Sequence, residues 1–206
     1  MQEIIGYHGT KDASAKLILK DGFALATPKK GDNHWLGHGI YFYTEFELAE
    51  WWAKTKVKKQ NKKYSKKDSP VVLKAVIHAN NILDLDNPFC LMQFEEYQKK
   101  LEEQVINDGI VLDFADGKGQ EKERIRCFWM DMVKEEYDIE VIIYTFNRKN
   151  PSYVNSKYHV DNESENSLKN MQLVYHEKQI CVTSDNYIVE KEIVRDCVEE
   201  FDEVII

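Results

Sequence analysis

Apolar and polar positions along the chain alternate in some stretches and recur at helical spacing in others. EIIGYH (3–8), GIYFYT (39–44), SPVVLKAVIHA (69–79) and VIIYTF (141–146) are rich in β-branched and aromatic residues and are bounded by turn formers, which predicts strands. NILDLD (81–86) predicts a short extension of the third of these. LVYHEKQICVT (173–183) and NYIVEKEIV (186–194) predict the closing strands. Helical spacing appears first at Ala15, Ile18 and Leu19, which predicts a helix over 11–20 that Gly22 caps. FELAEWWAKTKV (46–57) begins a helix that enters a lysine-rich segment. PFCLMQFEEYQKKLEEQVI (88–106) and EKERIRCFWMDMVKEEY (121–137) have helical periodicity, the former opening at Asn87-Pro88. ATPKKGDNHW (26–35) reads as a loop, and the polar, turn-rich 150–170 as a long loop. GIVLDFADGKGQ (109–120), between the last two helical segments, is ambiguous. No repeat or linker divides the chain, so these elements predict one α+β domain over 1–206.

Composition changes this picture in three places. At 206 residues and 43% hydrophobic, the chain holds enough apolar surface for one substantial core, and its apolar runs are too short for a membrane-spanning helix. MQEIIGYHG has no basic leader region, so no signal peptide is expected. Cys90, Cys127, Cys181 and Cys197 form no C-x-x-C pair and sit mostly in apolar elements, which predicts buried free thiols and a cytoplasmic location. The net charge of −8 argues against a general nucleic-acid coat, yet residues 53–69 hold eight lysines against one aspartate, and 189–206 is acidic. That lysine run is either a solvated surface or a landing strip for a polyanion. His34 and His38 stand at a metal-like interval, but no cysteine or carboxylate cluster neighbours them in the chain, so no metal is expected.

The chemistry concentrates in three segments: a first strand ending in Tyr-His-Gly-Thr (7–10), the strand LGHGIYF (36–42) leading into Ala-Glu-Trp-Trp-Ala (49–53), and the late strand EKQICV (177–182). There is no G-x-G-x-x-G after the first strand, no Walker loop and no G-x-S-x-G elbow. In chain order, the three segments resemble the ADP-ribosyltransferase superfamily, in its diphtheria-toxin and poly(ADP-ribose)-polymerase-like branch with a His-Tyr-Glu signature. The motifs cover about a sixth of the residues. The resemblance implies a split antiparallel β-sheet with peripheral helices and NAD as substrate. His8 then resembles the histidine that hydrogen-bonds a ribose hydroxyl, and Gly9 the glycine whose backbone reads the nicotinamide carboxamide, beside Thr10. Tyr41 resembles the tyrosine on the nicotinamide face, with Trp52 or its neighbour Trp51 as a second stacking aromatic.

Here the chain departs from the family. The best register places Gln179 where the family carries its catalytic glutamate, and Glu177 two residues earlier. Strand residues two apart share a face, so Gln179 is read as the NAD-holding residue and Glu177 as a base or acceptor contact in the same cleft. That disfavours polymer formation and implies a single transfer. The lysines Lys58, Lys59, Lys62 and Lys63, with Arg126, are read as acceptor-binding, which favours RNA or single-stranded DNA. Trp129, Arg148 and Tyr153 are secondary candidates for the same surface. Small stand-alone relatives are often toxins of toxin–antitoxin or phage-defence systems, so an antitoxin partner is implied. Three competing readings stay open: transfer to a protein, an RNA 2′-phosphotransferase, and a catalytically silent module that binds NAD or ADP-ribose.

Overall fold

The computed structural model describes residues 1–25, 34–64, 67–114, 120–148 and 175–194. In chain order these form β1 (Gln2–Lys11), α1 (Asp12–Asp21), β2 (Ile40–Tyr43), α2 (Phe46–Tyr64), β3 (Pro70–Ala79), β4 (Ile82–Asp84), α3 (Pro88–Asn107), α4 (Glu121–Glu136), β5 (Val141–Arg148), β6 (Tyr175–Val182) and β7 (Ile188–Val194), with a single 3₁₀ turn at Asp185–Tyr187. The strands make one seven-stranded sheet in the order β4-β5-β6-β2-β1-β3-β7. Only β4 and β5 run parallel; the other neighbours are antiparallel. The fold is therefore α+β, with an open, mostly antiparallel sheet. Among the described residues, no helix is long and apolar enough to cross a membrane.

Two elements extend further than their sequence pattern. β1 continues past His8 to Lys11, because β3 stays registered against it along its whole length, from Gln2↔Ala79 to Lys11↔Pro70. α2 continues through the lysines to Tyr64. Lysine is a good helix former, and Lys62 and Lys63 fall in the last turn, where the helix dipole favours positive charge. α3 begins as expected: the Asn87 side chain accepts the Phe89 N–H at 3.0 Å, and Pro88 takes the first helical position. Residues 110–114 join no regular element, and the 150–170 segment, with Tyr153, lies outside the described residues, as does Cys197.

The core sits on both faces of the sheet. On one, Ile142 and Cys181 pack with Leu101, Val105, Met130 and Val133 from α3 and α4. On the other, Ile40, Phe42, Ile143, Ile180 and Val182 join Ala75 and Ile77 of β3 and Ile188 of β7. Each fully buried Ile or Leu stabilises the fold by roughly 1.5–3 kcal/mol.

One junction in the sheet is thin. β1 meets β2 in register at Tyr7↔Tyr43, next to Gly6, where an added Cβ would lie 2.7 Å from Phe42 Cβ. Beyond that crossing the two strands part. The sheet thus has two halves, β4-β5-β6-β2 and β1-β3-β7, hinged on one seam.

Candidate functional site

The seam opens into a cavity of about 910 Å³ lined by residues of both halves, including His8, Gly9, Tyr41, Tyr43, Trp52 and Gln179. A hollow of about 320 Å³ between α2 and the β3–β7 end contains none of the residues singled out from the sequence.

The backbone of Gly9 faces the opening. The Asp12 N–H bonds to Ser69 O at 3.0 Å, which makes Lys11↔Pro70 a non-hydrogen-bonded pair of the β1–β3 ladder. Antiparallel ladders alternate, so Lys11, Gly9 and Tyr7 all turn their N–H and C=O away from β3 and toward β2. At Gly9, β2 has already diverged and offers no register partner. Gly9 is also where α2 comes closest: a Cβ there would lie 2.0 Å from Ala49 O. The buried stripe Ala49, Ala53 and Val57 brings α2 down onto this point. A glycine is thus required by the packing of α2, and it leaves a donor and an acceptor directed at the cavity.

His8 bridges the parted strands. Its Nδ1 lies 2.8 Å from Tyr41 O. A carbonyl only accepts, so Nδ1 carries the hydrogen. The ring packs edge-on against Phe23 (5.0 Å) and Phe42 (5.8 Å). Burial lowers its pKa from 6.5 to about 4, with a further push from the Lys56 charge, against the Tyr41 hydrogen bond that raises it. At neutral pH His8 is uncharged and its Nε2 is an acceptor.

Tyr41 is held by both ends of its hydroxyl, which donates to Gly37 O at 2.6 Å and accepts the Leu36 N–H at 2.8 Å. Burial pushes its pKa well above the usual tyrosine value, so it stays protonated. His34 lies nearly parallel to its ring at 6.3 Å. Of the two tryptophans, Trp52 lines the cavity and is 42% exposed, whereas Trp51 packs beside it without lining the cavity. Thr10 is buried and does not line it either.

Gln179 and Glu177 share a face of β6, as strand periodicity requires, but they differ in depth. Gln179 lines the cavity, while Glu177 is 1% exposed and does not. The Gln179 Nε2 donates to Glu177 Oε1 at 2.6 Å. That bond commits the amide's donor end inward and turns Gln179 Oε1 to accept from a ligand. Glu177, read from the sequence as a base or acceptor contact in the same cleft, thus lies behind Gln179 and outside the cavity lining.

The acceptor-side residues divide. Lys58, Lys59, Lys62 and Lys63 are exposed along α2, and Lys56 of the same helix lines the cavity. Arg126 lies over the Trp35 ring at 5.9 Å, which makes it a support of the cavity wall. Trp129 belongs to the core and presents no stacking surface. Sequence reasoning passed over Tyr43, which stands two residues from Tyr41 on the same strand face, and that spacing was the available signal. It also passed over Phe23 and Lys56.

The wall at 34–39 is fastened to α4 by a buried polar network. Asp131 Oδ1 accepts the His38 N–H at 2.7 Å and Lys134 Nζ at 2.8 Å, and Lys134 also donates to the carbonyls of Leu36 and His38. Burial alone would raise the Asp131 pKa, but the Lys134 charge and the His38 bonds hold it below the usual carboxylate value. Gly37 (φ +74°) is needed here, since a Cβ would lie 2.3 Å from Asp131 Oδ1. Burial pushes Cys127 and Cys181 up to about 11, so both thiols are protonated at neutral pH.

No family model matches the chain, and no solved structure matches it. An uncharacterized protein, MJ0359, of Methanocaldococcus jannaschii is 52% identical over 52 residues. The match spans 24% of this chain and 23% of that protein.

Proposed function

We propose that the protein is an NAD-dependent mono-ADP-ribosyltransferase of the split-sheet ADP-ribosyltransferase fold, acting in the cytoplasm on a nucleic acid, with RNA favoured. The observation that carries this reading is the seam itself. Where β1 parts from β2, one cavity holds a neutral histidine acceptor, a glycine edge with an outward donor and acceptor, several aromatic faces and an amide oxygen.

Each group has a task in such a reaction. His8 Nε2 accepts from a ribose hydroxyl. Gly9 N–H and C=O pair with the nicotinamide carboxamide, which offers the complementary acceptor and donor. Tyr41, Tyr43 and Trp52 supply aromatic surface for a flat ring, each contact stabilising by roughly 0.5–1.5 kcal/mol. Gln179 Oε1 accepts from the nicotinamide-ribose 2′-hydroxyl, and Glu177 holds it there. The bond from ribose C1′ to the nicotinamide nitrogen breaks and its electron pair leaves with nicotinamide. An acceptor nucleophile then bonds to C1′ and loses its proton to solvent. The Gln179 oxygen, its amide polarised by the bond to Glu177, faces the developing positive sugar and stabilises it less than a direct carboxylate. This favours one transfer over chain growth.

The exposed lysines of α2 that follow Lys56 at the cavity in the chain support a polyanionic acceptor. In this reading the chain is a free-standing toxin or phage-defence effector restrained by an antitoxin. A second reading, an NAD-binding module without turnover, is favoured by one observation: the group nearest the expected catalytic position is an amide whose donor end is already engaged.

The test incubates the purified chain with NAD labelled in its adenylate phosphate, together with RNA, single-stranded DNA or lysate protein. The expected result is label in RNA, with nicotinamide released, both lost in His8→Ala and Gln179→Ala. Label confined to protein would move the acceptor. Saturable NAD binding with no nicotinamide release would leave the binding module.

A further inference from the structure

The network beneath the cavity wall contains a set of donors that the transfer reaction does not use. Cys127 and Asp131 are four residues apart on one face of α4, and His38 reaches them from the 34–39 loop. One ligand atom from each of His38, Cys127 and Asp131 lies within 4.8 Å of the other two. We propose that His38, Cys127 and Asp131 bind one divalent transition-metal ion of the zinc type, which locks the 34–39 loop onto α4.

The two oxygens of Asp131 are sorted for this purpose. Oδ1 is occupied by the His38 N–H and by Lys134, contacts that suit the non-ligating oxygen of a metal carboxylate. Oδ2 faces the other two donors, 2.6 Å from His38 Nδ1 and 3.7 Å from Cys127 Sγ. Ligand bonds of about 2.0–2.3 Å place the donors of a tetrahedral zinc ion about 3.3–3.8 Å apart, which the Oδ2–Sγ separation already matches, while the His38 ring must draw back from Oδ2 by roughly 0.7 Å to admit the ion. The sulfur also receives a backbone hydrogen bond from His34, an outer contact suited to a thiolate.

Mixed sulfur, nitrogen and oxygen donors select zinc or cobalt over magnesium or calcium. The exchange balances. The ion takes the place of the hydrogens directed at Oδ2: the His38 proton moves from Nδ1 to Nε2, and the Cys127 proton passes to solvent. Thiolate and carboxylate then offset the dication, and the Lys134 cation on Oδ1 leaves the cluster with one positive charge in excess. Three protein ligands leave a fourth position for water or for His34, whose ring lies 4.7 Å from that of His38. The expectation of no metal rested on the lack of a cysteine or carboxylate cluster beside His34 and His38 in the chain. The fold supplies both from α4.

The test is independent of any transferase activity. Cobalt(II) is titrated into the chelator-stripped full chain and read by absorption. The expected result is a saturating one-to-one thiolate-to-cobalt band in the near ultraviolet with intense tetrahedral visible bands, displaced by zinc. Cys127→Ser, which keeps a hydroxyl donor toward Asp131, removes the thiolate band. His38→Gln weakens cobalt binding by about tenfold or more. Metal-free melting curves show that each variant is folded. A folded wild-type chain without the band, or a band unchanged in Cys127→Ser, would overturn the proposal.

Discussion

His8 carries its hydrogen on Nδ1 because the Tyr41 carbonyl lies in reach across the seam. The two phenylalanines around it do the rest, since they deny the imidazolium its hydration. The pH dependence follows with a definite sign. The folded state holds His8 neutral down to about pH 4, whereas the unfolded chain protonates it near 6.5. The unfolded state therefore binds more protons between those values, so this contribution is complete above pH 6.5 and is lost as pH falls toward 4. Its size is at most about 3 kcal/mol, reduced because His8 is of intermediate burial in the fold and not fully shut off from water. Urea unfolding measured between pH 7 and pH 4 should show stability falling, and His8→Gln should flatten that slope. An equal slope in the variant would assign the effect to other groups. At this scale the sequence was legible in which residues meet, since His8, Gly9 and Tyr41, singled out from separate segments, line one cavity. It was illegible in depth. Alternation along β6 put Glu177 and Gln179 on one face, but whether a side chain on that face meets the cavity or the core depends on what packs over it, which the strand's own residues do not encode.

Gly9 shows how one element sets another. α2 can rest against β1 only because Gly9 has no Cβ to strike Ala49 O and because the helix turns alanines toward it. On this helix Trp52 and Lys56 line the cavity, and Lys58, Lys59, Lys62 and Lys63 follow in the chain with exposed side chains. Most elements were visible in the hydrophobic pattern, including the Asn87 cap. The extent of α2 was not, since a lysine run carries no apolar period and its helicity comes from propensity alone. The consequence of that helicity is measurable. A helical row fixes the spacing of its charges, and each phosphate contact on a single strand contributes about −0.7 to the slope of log K against log salt. Replacing Lys58, Lys59, Lys62 and Lys63 together by glutamine keeps good helix formers in place. Filter binding of single-stranded RNA from 50 to 200 mM salt, a range chosen because such contacts respond steeply there, should show a slope smaller by up to about 3. An unchanged slope would remove α2 as the acceptor surface.

At the scale of the whole molecule, the sheet is two half-sheets meeting at Tyr7↔Tyr43, and the cavity is bounded by both. The sequence could not announce this, because pairing between β1 and β2 is a long-range matter and each strand reads alike whether its neighbour stays or diverges. The arrangement has an energetic consequence. His8 and Gly9 belong to the β1 half, and Tyr41, Tyr43 and Gln179 to the β2 half. A ligand that touches all of them ties together two parts that the protein's own backbone joins weakly. The unfolded chain offers no such constellation, so binding adds to stability by mass action, about 2.7 kcal/mol at a hundredfold excess over Kd. For a domain of this size that corresponds to a rise in Tm of about 5–10 °C. NAD should therefore raise the melting temperature of the wild-type chain by that amount in a concentration-dependent way. His8→Ala and Gln179→Ala, one from each half, should each lose most of the rise. A rise in wild type that survives both variants would place NAD outside the seam. No rise at millimolar NAD would remove the cavity as its site, while leaving the cobalt titration of the α4 cluster unaffected.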